Sequence, residues 1–311
     1  MIHKKLINHK ELFCYQHKSF YIFSLPKIAS SWLYQFFKKI NGYDFSSELF
    51  DANVVNIDEN TLTLSVNQND NITSFIPKDI LNDWNSEKSG IVTNKDFIFL
   101  IRNPIDKFFG GFMQDVILPK FHHDRNRYLL DSPENLEIIK NYSNKHHLNQ
   151  FIEYNRTASI INSNWFLNLN NRPSFVHDVI SYLIDSYVDK FFSNPNNIKH
   201  YRTDHKTSNL FLCYKLLFNS NFNKIKIIDI DIEDINSVLT NNYNIDISLI
   251  GRINQTNDVF KGIVEASIVR YFDIISILIE TDILLYCDIL NKVYGLNLTP
   301  TNLYNKKIQN L

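Results

Sequence analysis

The chain is poor in glycine and methionine, with 7 and 2 in 311 residues, and it holds only 3 cysteines. Cys14, Cys213 and Cys287 stand far apart and form no CxxC pair. That excludes a disulfide scaffold and a thiol-redox motif, and it fits a reducing compartment. Neither sign of charge is in excess: Lys and Arg total 32 against 33 Asp and Glu, a formal net charge of −1 with a pI near 6.8. The balance argues against a dedicated nucleic-acid binder and a basic membrane-surface protein. Long apolar runs are missing as well. The greasiest stretch, 274–290, is broken by Glu280, Asp282 and Asp288 and reads as a core helix, not a membrane span. The first residues, MIHKKLINHKELF, are basic but lack an apolar signal-peptide core. No HExxH and no GxxxxGK[ST] occurs, so the spacings of a zinc protease and of a P-loop kinase are absent. The expectation is a soluble, cytoplasmic, globular protein with no nucleic-acid partner and no transmembrane segment.

Hydrophobic residues make up 44% of the chain, enough for a sizeable core. The pattern is organised around residues 19–40, SFYIFSLPKIASSWLYQFFKKI. Phe20, Tyr21, Ile22 and Phe23 are strong strand formers in a row, as in a strand buried in a sheet. Pro26 ends that strand, and 27–31 forms a tight turn of mostly small residues. Trp32, Leu33, Phe36, Phe37 and Ile40 then recur at helical spacing. A strand, a small-residue turn and a helix make an anion site: N–H groups at the helix start, hydroxyls from Ser30 and Ser31, and the charge of Lys27. A second apolar strand, 96–101 (DFIFLI), ends in Arg102-Asn103-Pro104, and Pro104 suits the first turn of the next helix. That helix carries Ile105, Phe108, Phe109, Phe112, Met113 and Val116. In parallel sheets ligands collect at such strand ends.

Elsewhere the pattern predicts a loose arm or short leading helix over 1–18, and a surface hairpin from 54–57 and 61–66. Ile80, Leu81 and Trp84 suit one helical turn. Histidines and arginines crowd 119–156 (His122, His123, Arg125, Arg127, His146, His147) without metal-ligand spacing, and they read as a solvated surface that touches substrate. Helices are expected over 158–170, 174–192 and 210–218, with a polar loop over 197–205 before the last. A third buried strand at 225–230 leads into a short helix over 231–239. One long helix over 263–294 closes at Gly295, a C-terminal cap. No repeat and no linker divides residues 1–311, so a single domain is expected.

With both turns in view, the chain resembles the sulfotransferases that use 3′-phosphoadenosine 5′-phosphosulfate (PAPS). Their first signature, Pro-Lys then a variable residue, a small residue, two Ser/Thr and an aromatic, stands here as Pro26-Lys27-Ile28-Ala29-Ser30-Ser31-Trp32. Their second, Arg-Asp/Asn-Pro followed by an acidic residue and later Ser, stands as Arg102-Asn103-Pro104-Ile105-Asp106, with Gly110 where Ser is usual. Looser agreement comes from the His200 loop, the 225–230 strand and Asp282 to Tyr286 in the last helix. The resemblance implies an α/β, three-layer P-loop-like fold with a central, mainly parallel sheet and a helical C-terminal half. It implies PAPS as co-substrate, no metal, and a hydroxyl acceptor on a carbohydrate or a lipid-linked sugar. Residues 27–32 would hold the 5′-phosphate, with Lys27 at the bridge to the sulfuryl group. Arg102 would take the 3′-phosphate, joined by Gly110 in place of the serine.

The base stays open. No histidine lies between Lys27 and Arg102, so a carboxylate from that segment would serve: Glu48 first, with Asp44, Asp51 and Glu87 also in range. The rival is His200, or His205, from the later loop. Two other readings remain: an interaction protein that kept the fold and lost efficient donor binding, and a small-molecule kinase with an atypical turn.

Overall fold

Three apolar runs become adjacent parallel strands, and a fourth segment, which looked like an arm, becomes the strand beside them. The structure, a computed structural model, describes residues 9–25, 28, 33, 36–37, 53–66, 78–124, 127–128, 133–142, 144–157, 169–201, 208–245 and 258–309. In chain order the strands are β1 (His9–Gln16), β2 (Phe20–Ser24), β3 (Asn53–Asp58), β4 (Thr63–Val66), β5 (Asp96–Ile101), β6 (His122–Asp124), β7 (Arg127–Tyr128) and β8 (Ile225–Asp229). The helices that matter below are α1 (Lys78–Lys88), α2 (Pro104–Phe112), α3 (Pro133–Lys140), α4 (Lys145–Thr157), α5 (Ser174–Phe192) and α6 (Pro195–His200). They continue with α7 (Leu210–Phe218), α8 (Ile235–Tyr243), α9 (Asp258–Val269), α10 (Phe272–Leu278), α11 (Glu280–Tyr294) and α12 (Pro300–Gln309).

The chain forms two compact units, each assembled from three separate segments. The first comprises 1–107, 207–254 and 280–300; the second comprises 108–206, 255–279 and 301–311. Because the segments interleave, no stretch of sequence reads as a linker.

The first unit holds a six-stranded sheet in the order β4-β3-β1-β2-β5-β8. The fold is therefore α/β, but the sheet is mixed, which corrects the expectation of a mainly parallel one. Only β2–β5 and β5–β8 pair in parallel; β1–β2, β1–β3 and β3–β4 are antiparallel. The expected loose arm is β1, wedged between β2 and β3. Its end residues are polar, but Leu12, Cys14 and Tyr15 are buried, and its backbone groups pair on both sides. The expected hairpin of β3 and β4 forms, and it extends this sheet, with Val55, Ile57 and Leu64 buried.

Burial is densest where β2 and β5 meet. Every residue of β2 is buried, and so are Phe97 to Ile101 of β5. Phe23 stacks on Phe99 with ring centroids 4.5 Å apart, and Trp84 of α1 packs edge-on to Phe97 at 5.4 Å. The Trp84 indole N–H also donates to Leu62 O at 2.9 Å, so α1 is tied to the hairpin turn.

The long closing helix is three helices, α9, α10 and α11, broken at 270–271 and at 279. Gly295 ends α11 at φ +63°, the left-handed cap conformation expected of it. The helix expected over 231–239 starts later, at Ile235, because Asp234 is the N-cap: its carboxylate accepts from Asn236 N and Ser237 N. The stretch 158–168 lies outside the described residues.

The second unit is built around α5. Val176, Val179, Ile180, Leu183, Ile184 and Val188 are fully buried along one face, and α3, α4 and α9 pack against it. Within this unit the end of α2 passes into a π-helical turn at Met113–Ile117.

Candidate functional site: the carboxyl ends of β2, β5 and β8

Direction decides where a ligand would meet the first unit. The chain leaves β2 to form β3, beyond β1, and leaves β5 to form β8 on the opposite side. Strands β2 and β5 are neighbours in parallel register, Phe20 opposite Asp96 and Phe23 opposite Phe99. Their outgoing connections thus diverge, which is the arrangement at which open α/β sheets bind ligands. Both signature turns follow these two strands on the same edge.

At the end of β2, buried Ser24 closes the chain on itself. Its Oγ donates to Leu25 O at 3.1 Å and, in a shorter contact, to Ile28 O. The Ile28 N–H donates to Leu25 O at 3.0 Å, and the Ile28 side chain is buried. Ile28 therefore builds the turn from inside, and its N–H already has an acceptor within the turn. Pro26, Lys27, Ala29, Ser30, Ser31 and Trp32 lie outside the described residues, as do Asp44, Glu48 and Asp51.

At the end of β5 the picture is fuller. Asn103 caps α2: its Oδ1 accepts from Ile105 N at 2.9 Å, and its carbonyl accepts from Lys107 N at 2.9 Å. Asp231, in the turn after β8, reaches both residues ahead of the helix. Its Oδ1 lies 3.5 Å from Arg102 Nε, and its Oδ2 accepts from Asn103 N at 3.0 Å. Behind it, Asp229 Oδ1 accepts the Asp231 N–H at 2.8 Å, and Asp229 Oδ2 accepts the hydroxyl of Tyr286 in a short contact. The Asp229 N–H donates to Tyr294 Oη at 2.9 Å, and the Tyr294 hydroxyl donates to Glu233. One connected network thus joins the Arg102 turn, the end of β8 and helix α11.

Burial sets the protonation of that network. Asp229 is completely buried, and loss of solvent pushes its carboxyl up from 3.8 to about 6, against the Tyr286 hydrogen bond, which pulls it down. Burial, then the nearby Asp229 charge, pushes the Tyr286 hydroxyl well above the ordinary tyrosine value. Tyr286 is therefore a hydrogen-bond donor at any working pH.

Other candidates serve elsewhere. Glu87 is completely buried, and its two oxygens accept from Thr93 N at 2.7 Å, Thr93 Oγ1 at 3.1 Å, Asn223 N at 2.7 Å and Lys224 N at 3.2 Å. It is a clamp between loops, with no lone pair turned toward a substrate. In the second unit His200 is the last residue of α6, while its side chain, and all of His205, lie outside the described residues. Its neighbour Tyr201 is buried against Phe108 and Phe112, each at 5.7 Å, and Phe191 at 5.1 Å. Gly110 sits part-buried in the last turn of α2. His147 of α4 lies 3.3 Å from Asp178 of α5, and His146 bonds Gln150 one turn along α4 at 2.9 Å; the two pairs do not share a partner. The side chains of His122, His123 and Arg127, and all of Arg125, lie outside the described residues.

Asp229 and Glu233 carried no weight in the sequence reading, and Asp231 carried weight only as a helix start. The one available signal was Asp229 itself, a carboxylate closing the buried end of an isoleucine-rich strand. Compared with protein-family models, with curated proteins and with solved structures, the chain matches nothing.

Proposed function

We propose that this protein is a PAPS-dependent sulfotransferase with a P-loop-like fold, acting on a hydroxyl of carbohydrate type in a reducing compartment. The observation that carries the reading is the parallel pairing of β2 with β5 at the divergence of their connections. Two separately recognised phosphate signatures follow those two strands, one strand apart on one edge. The described donors suit an anion: a guanidinium ahead of an N-capped helix start. Three buried cysteines with no disulfide fit the compartment.

On this reading the N–H groups and hydroxyls of Ala29, Ser30, Ser31 and Trp32 orient the 5′-phosphate. Arg102 fixes the 3′-phosphate through a planar fork of donors. The nucleotide supplies the sulfuryl group, which passes in line to the acceptor oxygen. Lys27 neutralises the charge that builds on the bridging oxygen as its bond to sulfur breaks. A base, Glu48 or one of His200 and His205, takes the acceptor proton as the new S–O bond forms.

The test is thermal unfolding with 3′-phosphoadenosine 5′-phosphate, ATP and GTP in separate samples. A ligand at a hundredfold its Kd stabilises by about 2.7 kcal/mol. Stabilisation by the bisphosphate alone is expected. Stabilisation by ATP or GTP alone would point to a kinase, and none from any of them to an interaction protein.

A further inference from the structure

Arg102 does not stand alone at the end of β5. Its Nε lies 3.5 Å from Asp231 Oδ1, with the two side chains 25% and 32% exposed. The other oxygen of the same carboxylate holds the N–H of Asn103, the residue that caps α2. Asp231 is itself held through its own N–H by Asp229, which is anchored by Tyr286 of α11. A surface ion pair made by two loose side chains would bring no such backing. Here the acid is placed by buried groups, and it grips two consecutive residues of one turn.

We propose that Asp231 is a positioning residue for Arg102: it holds the guanidinium at the sheet edge and cancels its charge, so that an incoming phosphate must compete with this carboxylate. The inference rests on the reading above in which Arg102 receives an anion. Two consequences follow from the geometry. The ligand-free edge has no uncompensated charge on this pair, which lowers non-specific capture of anions. A phosphate that arrives must displace this carboxylate from the guanidinium, and the fork of donors can meet it bidentately. Among the described residues, the acids whose charge acts on the pair include Asp106, in the first turn of α2, and Asp229, at the end of β8.

Asp231→Asn separates the two roles of the carboxylate. The amide oxygen can still accept from Asn103 N–H, so the cap is kept, while the charge opposite Arg102 is gone. The measurement is the side-chain Nε–H resonance of Arg102, assigned by its loss in Arg102→Lys, titrated with inorganic phosphate in wild type and in Asp231→Asn. The expected result is a different resonance position in the ligand-free variant and a phosphate midpoint about threefold lower, the scale of one part-exposed ion pair. Equal midpoints, or an unmoved ligand-free resonance, overturn the inference whatever the nucleotide does. In parallel, calorimetry with 3′-phosphoadenosine 5′-phosphate and with adenosine 5′-phosphate tests the reading beneath it. The variant should bind the first about threefold more tightly and the second unchanged, a selectivity that general loosening of the fold would not produce. If wild type fails to bind the bisphosphate, the sulfotransferase reading falls, and the phosphate titration alone still decides the role of Asp231.

Discussion

Replacing Asp229 by Asn should make the protein more stable near neutral pH, although it touches a buried hydrogen-bonded carboxyl. The argument turns on what burial does to that group. Asp229 is completely buried, and its carboxyl is raised from 3.8 to about 6. The folded state therefore holds the proton more tightly than the unfolded chain does. Its contribution is fully present below about pH 4 and is lost as pH rises through about 6. At 1.36 kcal/mol per pH unit, the whole swing is about 3 kcal/mol. Asparagine has the same shape and never ionises. Its oxygen can accept the Asp231 N–H, and its NH2 can donate to Tyr286 Oη if that hydroxyl turns. Urea unfolding of both proteins at half-unit steps from pH 4 to pH 7.5 is the assay. Most other titrating groups are common to both proteins, so the difference reports Asp229 together with its coupled neighbour Asp231. The variant should gain on wild type by about 2.4 kcal/mol from pH 4 to pH 7.5, the rest of the swing lying below pH 4. Parallel curves, or a variant that loses ground as pH rises, would refute the account of Asp229 as a carboxyl whose ionisation burial opposes.

Four further outcomes are expected. Lys27→Ala should leave the unfolding curve unchanged and abolish most sulfuryl transfer from PAPS in a radiolabel transfer assay; near-normal turnover in the folded variant sinks the role given to Lys27. Glu87→Ala strips the acceptor from Thr93 N, Asn223 N and Lys224 N and should cost about 3 kcal/mol or more in urea unfolding. Asp234→Ala removes the N-cap of α8 and should cost about 1 kcal/mol. Gly295→Ala meets no atom within 4 Å of the added Cβ, yet forces φ +63° on a side chain. It should cost about 1 kcal/mol from backbone strain alone, with no change in the described contacts.

Local chemistry carried much of this fold. Strands β2 and β5 were legible because each is a run of apolar residues, as burial on both faces demands, and β8 because its isoleucines stand out even at the sheet edge, where Lys226 is exposed. Helices α5 and α7, and the cap at Gly295, were legible for an equally local reason: periodic apolar faces and a residue free to take positive φ. Tertiary structure decided the rest. Strand β1 was unreadable because it opens on His9, Lys10 and Glu11 and closes on Gln16, and its stability comes from pairing with β2 and β3 rather than from its own pattern. The breaks at 270–271 and 279 fall inside a stretch whose apolar residues keep helical spacing throughout, so the sequence pattern alone did not end each helix. At the candidate site, sequence alone picked out Arg102-Asn103-Pro104. It could not show that Asp231, more than a hundred residues away, would hold that turn. Nor could it show that Asp229 and Tyr286 would stand behind it. Such partners meet only when β5 and β8 pair in register and α11 packs nearby. Hydrogen bonds between groups distant in sequence leave no periodic trace in the chain that makes them.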